Sequence, residues 1–150
     1  MNSRHPTRPD PALEAICAVR EPLERRDLTL LLERSEYEIW QLTARFGSLF
    51  PTVDGQVHPF HQSVRDWLIY PNRSGSYWID VSAQEQRLAD LAWREYQTGV
   101  NTMGRYCIKY APSHFAACQR KTELAQILLD PEWIVARLQS TRETLNKLCF

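Results

Sequence analysis

The chain has few glycines, no long apolar run and no excess of one charge. Five glycines in 150 residues, against many Leu, Ala, Glu, Arg and Gln residues, indicate a mostly helical protein. No apolar stretch is long enough to span a bilayer, so we expect no membrane partner. Lys+Arg and Asp+Glu both total 18, which gives no general attraction to nucleic acid or to an anionic membrane.

The sequence also lacks the motifs of common catalytic and nucleotide-binding sites. No GxxxxGK[ST] phosphate loop and no GxGxxG, GxSxG or HExxH motif is present. We find no other sequence grouping of a nucleophile, a base and a residue that orients the base. We therefore predict that the chain is not an enzyme and that it holds no cofactor by itself.

Cysteine usage predicts the compartment. The cysteines lie far apart, with no CxxC pair, and the sequence shows no apolar h-region of a secretory signal. We therefore predict reduced thiols and a cytoplasmic location. The four are Cys17, Cys107, Cys118 and Cys149.

Two residue pairs have the spacing of metal ligands. His58 and His61 form an H-x-x-H pair, and His114 and Cys118 stand at i and i+4, where one helix face could hold both. Neither pair has two further ligands close in sequence. We therefore predict no metal site and interpret these residues as ordinary parts of the core and its rim.

The first half of the chain has the pattern of a winged helix. Residues 1–10 are polar and aperiodic, which predicts a disordered lead-in. The predicted subdomain, residues 11–70, begins with three amphipathic helical patterns, and the Ser35–Glu38 capping box starts the third. Asp54–Gly55 then predicts a two-residue hairpin turn. A fourth amphipathic helix follows, so we predict a mainly α fold with a small β-hairpin in a winged-helix subdomain.

The second half has the pattern of a string of helices. Residues 71–81 are predicted to be a connecting loop, and residues 82–150 an α-solenoid-like helical subdomain. Within it we expect Pro112 to end one helix and Pro131 to start another, with a separate last helix at about residues 141–148. The mainly α fold therefore has two subdomains.

The tryptophans fall on apolar helical stripes or beside turns. Large aromatic side chains contribute much of the buried area of a small domain. We therefore expect all of them to pack in the core rather than to bind a ligand. They are Trp40, Trp67, Trp78, Trp93 and Trp133.

A winged helix raises the alternative of DNA binding through its third helix. Residues 21–60 carry four arginines against seven acidic residues. Glu36 and Glu38 in the first turn of that helix, and Asp54 at the wing tip, would repel phosphates, while Gln41 and Arg45 are few for reading bases. Nucleic-acid binding is therefore disfavoured and remains the second interpretation.

The segment around His61 is the most informative part of the sequence. His61 and Ser63 stand between the hairpin and the fourth helix, where free N–H groups and the helix dipole favour a phosphate. Four motifs of the first half, REPL at 20–23, FGSLF at 46–50, VDGQV at 53–57 and HQSVRDWL at 61–68, resemble the winged-helix region of NACHT and related STAND signalling ATPases. Four later motifs, RSG at 73–75, YWID at 77–80, YAPSHF at 110–115 and LLDPEW at 128–133, resemble the helical region that joins the ATPase to a WD-repeat or solenoid sensor in that family. The resemblance spans about residues 12–139.

The resemblance implies a role for His61. In that family the matching histidine touches the β-phosphate of ADP in the closed state, and loss of this contact helps to open the module. The sequence has Gln62 in place of a frequent aspartate, and the Walker motifs are absent. ADP or ATP would therefore enter only in a parent assembly with an NTPase domain. The alternative is that His61 and Ser63 only cap the fourth helix.

Three functional interpretations follow. The first is a non-enzymatic regulatory and interaction module that relays nucleotide state through domain contacts. Its partners would be proteins, or the missing NTPase and sensor domains. The second is a winged-helix DNA-binding protein. The third is a plain helical adaptor that binds a protein along residues 82–140.

Overall fold

A computed structural model describes residues 11–47, 51–58 and 62–148. The predicted lead-in, residues 1–10, lies outside this part. Contacts divide the chain into a first unit, residues 1–84, and a second unit, residues 85–150. The described residues are mainly helical, with one small antiparallel sheet near the N-terminal helices, so the predicted fold class is confirmed.

In the described part of the first unit, five α-helices end before residue 75. Helix α1 contacts α2 and α4, and α2 contacts α3. The predicted Ser35–Glu38 capping box is present at the start of α3. The helices are α1 (Pro11–Ala18), α2 (Arg25–Leu32), α3 (Glu36–Phe46), α4 (Gln62–Ile69) and α5 (Pro71–Ser74).

The sheet joins the predicted hairpin to a strand that we did not predict. Its strands are β1 (Leu23–Glu24), β2 (Thr52–Val53) and β3 (Gln56–Val57), in the order β1-β3-β2. Asp54 and Gly55 have φ of 50° and 80°, as a type I′ turn requires. The described elements of this region follow one another in the order α-β-α-α-β-β, and β3 lies between the other two strands.

Aliphatic side chains from the helices and the sheet form the core of this unit. Arg65 links α4 to α1, because its Nε donates a hydrogen bond of 2.7 Å to the backbone oxygen of Cys17. Helices α1 and α4 are thus joined by a polar contact as well as by packing. The most buried apolar residues of this unit are Ala15, Cys17, Ala18, Leu28, Ile39, Val57 and Ile79.

The predicted connecting loop at residues 71–81 is partly helical. Helix α5 is followed by a 3₁₀ turn, Gly75–Tyr77. Pro71 occupies the first turn of α5, where its missing N–H costs nothing, and Gly75 ends the helix with a φ of 54°. The prediction was wrong here because one turn of helix is too short to show a period.

The second unit is a string of helices. Helix α7 contacts both α8 and α9, and α8 contacts α9. In the described part of the chain, no helix is long and apolar enough to cross a membrane. The elements are α6 (Ser82–Thr98), which starts in the first unit, a 3₁₀ turn (Val100–Thr102), α7 (Arg105–Ala117), α8 (Lys121–Leu128) and α9 (Pro131–Leu148).

Pro112 does not end a helix, contrary to the prediction, but lies inside α7. A proline at this position leaves the carbonyl of Ile108 without its intrahelical N–H donor. The Nη1 of Arg137 in α9 donates to that oxygen at 3.2 Å and also to the oxygen of Lys109. This contact from a neighbouring helix compensates for the missing bond, and the sequence around Pro112 does not reveal it.

The prediction of a separate last helix was also wrong. Helix α9 continues from Pro131 through residues 140 and 141. No Pro or Gly interrupts it after Pro131, and the hydroxyl of Thr141 donates to the oxygen of Arg137 at 3.0 Å without breaking it. The predicted boundary near residue 141 therefore lies inside α9.

Candidate functional site

The start of α3 is held by reciprocal hydrogen bonds. The backbone N–H and the hydroxyl of Ser35 donate to Oε2 of Glu38, at 2.8 and 2.7 Å. The N–H of Glu38 donates back to the hydroxyl oxygen of Ser35 at 3.3 Å. The bond from the Ser35 backbone is the main reason that the pKa of Glu38 lies below its usual value. This capping box fixes the first turn, which carries the exposed aromatic residues.

Helix α3 has one face in the core and another in solvent. Ile39 and Leu42 are buried against the first unit. Tyr37 and Trp40 lie on the outer face with 66% and 55% of their surface exposed. Their rings stack, with centroids 6.1 Å apart and planes inclined by 22°. We call Tyr37 and Trp40 the aromatic surface.

A hydrogen bond and a ring contact keep the aromatic surface in place. Nε2 of Gln41 donates to the hydroxyl oxygen of Tyr37 at 2.9 Å, one turn along the helix. This hydrogen bond and the stacking of the two rings restrict both side chains before a partner arrives. This preorganisation lowers the entropic cost of binding.

The prediction that all five tryptophans pack in the core was wrong. Trp133 is buried, but Trp40, Trp67 and Trp78 each expose two fifths of their surface or more. Helical spacing could have shown this for Trp40, since it shares a face with Tyr37 and not with Ile39 and Leu42. The large apolar area of an indole ring therefore does not by itself predict that a tryptophan is buried.

Acidic residues lie at the N-terminal end of the aromatic surface, and a basic residue lies beyond its other end. Glu36 and Glu38 are exposed in the first turn of α3, and Arg45 is exposed in its last turn. Asp54, at the tip of the hairpin, is exposed as well. Such a surface suits an apolar contact with a partner that carries positive charge at its border.

The structure places only one of the two predicted site residues. Ser63 is exposed in the first turn of α4. His61 lies in the segment between residues 58 and 62, outside the described residues. The nucleotide contact and the capping role of His61 both stay predictions.

A buried polar chain in the second unit was missed by the sequence analysis. Nδ1 of His114 lies 2.6 Å from Oε2 of Glu85, and Nε2 of His114 lies 2.8 Å from the hydroxyl oxygen of Tyr106. A carboxylate only accepts, so Nδ1–H donates to Glu85, and in the neutral imidazole Nε2 then accepts from the Tyr106 hydroxyl. Glu85 near the start of α6 therefore contacts His114 of α7.

The order carboxylate, imidazole, hydroxyl matches that of a general-base relay, but the setting differs. His114 is 1% exposed and Tyr106 is buried beside it. A relay needs its hydroxyl to face a substrate. The burial therefore favours a structural role, in which the chain joins α6 to α7. No signal in the sequence pairs Glu85 with His114, because 29 residues separate them.

The His114–Cys118 pair does not form a ligand set. His114 uses both ring nitrogens in the contacts with Glu85 and Tyr106. Within residues 11–47, 51–58 and 62–148, no group of three or more His, Cys, Asp and Glu side chains converges as metal ligands.

The chain is therefore a mainly helical protein with a small three-stranded antiparallel sheet next to its N-terminal helices. No protein-family model, curated protein or solved structure matches it.

Proposed function

We propose that the chain is a non-enzymatic regulatory and interaction module whose first unit binds a protein partner through the aromatic surface. The observation that carries this proposal is the exposed, stacked Tyr37–Trp40 pair on a helix whose opposite face buries Ile39 and Leu42. Trp and Tyr are the residues most enriched among those that dominate binding energy at protein interfaces. A preordered pair of this kind is costly to leave in water and suits a partner's apolar pocket.

The resemblance to STAND ATPases extends the proposal. In this wider form, the module lies between an NTPase domain and a sensor domain and relays nucleotide state through domain contacts. His61 would contact the phosphate of ADP only when the NTPase domain is supplied. The wider form rests on the resemblance alone, whereas the aromatic surface supports partner binding independently of it.

Affinity capture with matched variants tests the proposal. The tagged full chain is compared with the Tyr37→Ala/Trp40→Ala variant in extracts of its source cells, and captured proteins are quantified by mass spectrometry. Trp67→Ala is the control, because Trp67 is an exposed aromatic residue on α4 of the same unit. We expect at least one protein to be captured by the parent chain and the control but reduced about tenfold or more by the double variant. Identical captured sets would contradict the proposal.

DNA binding is the second candidate, and the order of helices and strands in the first unit, with an exposed Arg45 in α3, favours it. Fluorescence anisotropy with a mixed-sequence duplex at low salt tests it. A DNA-binding protein would show salt-dependent binding that Arg45→Ala weakens. We expect no binding, because the acidic first turn of α3 repels phosphate.

A further inference from the structure

Helix α9 in the second unit has one buried face and one exposed aliphatic face. The inner face buries Trp133 and Ser140. On the other side, Ile134, Val135 and Leu138 are 41%, 53% and 65% exposed. Exposed apolar side chains that cluster on a surface mark interaction sites. We call Ile134, Val135 and Leu138 the aliphatic face.

The spacing along the aliphatic face places its side chains on one side of α9. Leu138 follows Ile134 by four residues and Val135 by three, and residues at these spacings are neighbours on a helix surface. Apolar residues three and four apart also form the contact between paired helices. An α-helix therefore suits the aliphatic face.

The charges at the ends of the aliphatic face are complementary to the same face on another copy. Glu132 precedes the face, Arg142 follows it, and both residues are exposed. In an antiparallel pair of identical helices, Glu132 of each copy lies at the level of Arg142 of the other. A twofold arrangement of this kind repeats every contact twice. A parallel pair would instead oppose like charges.

The charges and the aliphatic side chains share one centre. The midpoint between Glu132 and Arg142 is residue 137, and the middle of the aliphatic face lies within about 2 Å of it along the axis, at 1.5 Å per residue. One twofold axis can therefore align both sets of contacts. An open cleft of about 420 Å³, whose lining includes Val100, Val135 and Ala136, adjoins the face at this level. It offers space for Leu138 of the other copy.

We propose that the aliphatic face of α9 is a self-association surface that binds the aliphatic face of a second copy in antiparallel orientation. The proposal is independent of the aromatic surface. The chain has a formal net charge of +0, so two copies do not repel each other as wholes. The partner is thus another copy of this chain.

Sedimentation-velocity analysis of the full chain over a range of concentrations tests the proposal. We expect a dimer that dissociates on dilution, and Leu138→Glu should abolish it by placing a carboxylate at the centre of the contact. Leu30→Glu is the matched control, since Leu30 is an exposed leucine on α2. It should leave the dimer intact. Far-UV circular dichroism verifies that each variant is folded.

Charge reversal tests the orientation. Glu132→Arg and Arg142→Glu should each weaken the dimer about tenfold or more, because each change creates two symmetry-related repulsions. The double variant, and an equimolar mixture of the two single variants, should both recover the parent affinity within about threefold. A parallel pair would instead make the parent and the double variant equally weak.

Three outcomes would overturn the proposal. The first is a parent chain that stays monomeric at all concentrations, which would leave the face to another protein. The second is a dimer that Leu138→Glu does not change. The third is a dimer that does not respond to charge reversal.

Discussion

Helix α3 of the first unit and helix α9 of the second unit both expose apolar side chains opposite a buried face. The exposed residues of α3 are aromatic and lie next to Glu36 and Glu38, five residues or more before Arg45. Those of α9 are aliphatic and lie between Glu132 and Arg142. Both helices therefore expose comparable apolar groups in different electrostatic settings.

The difference in charge pattern separates two kinds of partner. A twofold axis through the Tyr37–Trp40 pair would bring the acidic first turns of two copies together, which disfavours self-association. A twofold axis through the aliphatic face of α9 would pair opposite charges instead. The position of charges relative to the apolar centre, rather than the apolar area alone, therefore indicates whether a surface suits another protein or a copy of itself.

The largest expected effect concerns the interior of the second unit. His114→Phe should lower the free energy of unfolding by about 3–4 kcal/mol, because Glu85 and Tyr106 lose their contacts with the imidazole in a buried setting. Urea denaturation measures it. His58→Phe is the control, since His58 is only partly buried, and should change stability by less than about 0.5 kcal/mol. If both variants lost the same unfolding free energy, the contacts of His114 would contribute no more to stability than the partly buried His58 does.

The two faces of α3 should respond very differently to truncation. Ile39→Ala should cost about 3 kcal/mol of unfolding free energy, since Ile39 is buried and its removal leaves a cavity. Trp40→Ala, one residue along, should cost less than about 1 kcal/mol because Trp40 is mostly in water. Thermal or urea unfolding measures both. A large loss for Trp40→Ala would mean that the aromatic surface serves folding rather than binding.

Burial of Cys17 should make stability depend on alkaline pH. Burial raises the pKa of its thiol from 9.0 to about 11, although the charge of Arg65 acts in the opposite direction. Above pH 9 the unfolded chain loses this proton while the folded chain keeps it, so stability falls as pH rises towards 11. The loss should approach about 2–3 kcal/mol.

Comparison of the parent chain with Cys17→Ala isolates this contribution. Other groups titrate in both proteins, so the difference between their unfolding free energies from pH 8 to 11 reports on Cys17. The difference should change with pH in the stated direction. Parallel pH profiles would contradict the assignment.

The smallest effect concerns the N-terminus of α3. Ser35→Ala should cost about 1 kcal/mol of unfolding free energy, because it removes the capping hydroxyl. It should also bring the pKa of Glu38 closer to its usual value, which carboxyl NMR titration measures. Ser113→Ala is the control, since Ser113 is exposed inside α7. An unchanged Glu38 titration would show that the capping box does not hold in solution.

Local chemistry predicted much of the first unit. The Asp54–Gly55 turn and the Ser35–Glu38 capping box each depend on residues close in sequence, and both are present. Strand β1 was missed because its two residues are defined by pairing with β3, more than thirty residues away. A segment of that length carries no periodicity of its own.

In the second unit, contacts between residues far apart in sequence determine features that local sequence patterns do not predict. Pro112 is accommodated by Arg137, and His114 is paired with Glu85, both across long sequence separations. The aromatic surface is a different case. The spacing of Tyr37 and Trp40 places both on the side of α3 away from Ile39 and Leu42, so the sequence contains the signal, but the size of the indole ring favoured a prediction of burial. The predicted site at His61 lies outside the described residues and stays a prediction.

Photo-cross-linking from the two surfaces tests the central comparison most directly. A photoreactive phenylalanine derivative replaces Trp40 in one version of the full chain and Leu138 in another, and each is irradiated in extract of the source cells. Position 138 should give a product of about twice the mass of the chain that contains only this protein, and position 40 a product with a different protein. The reverse pattern, or the same product from both positions, would contradict the account.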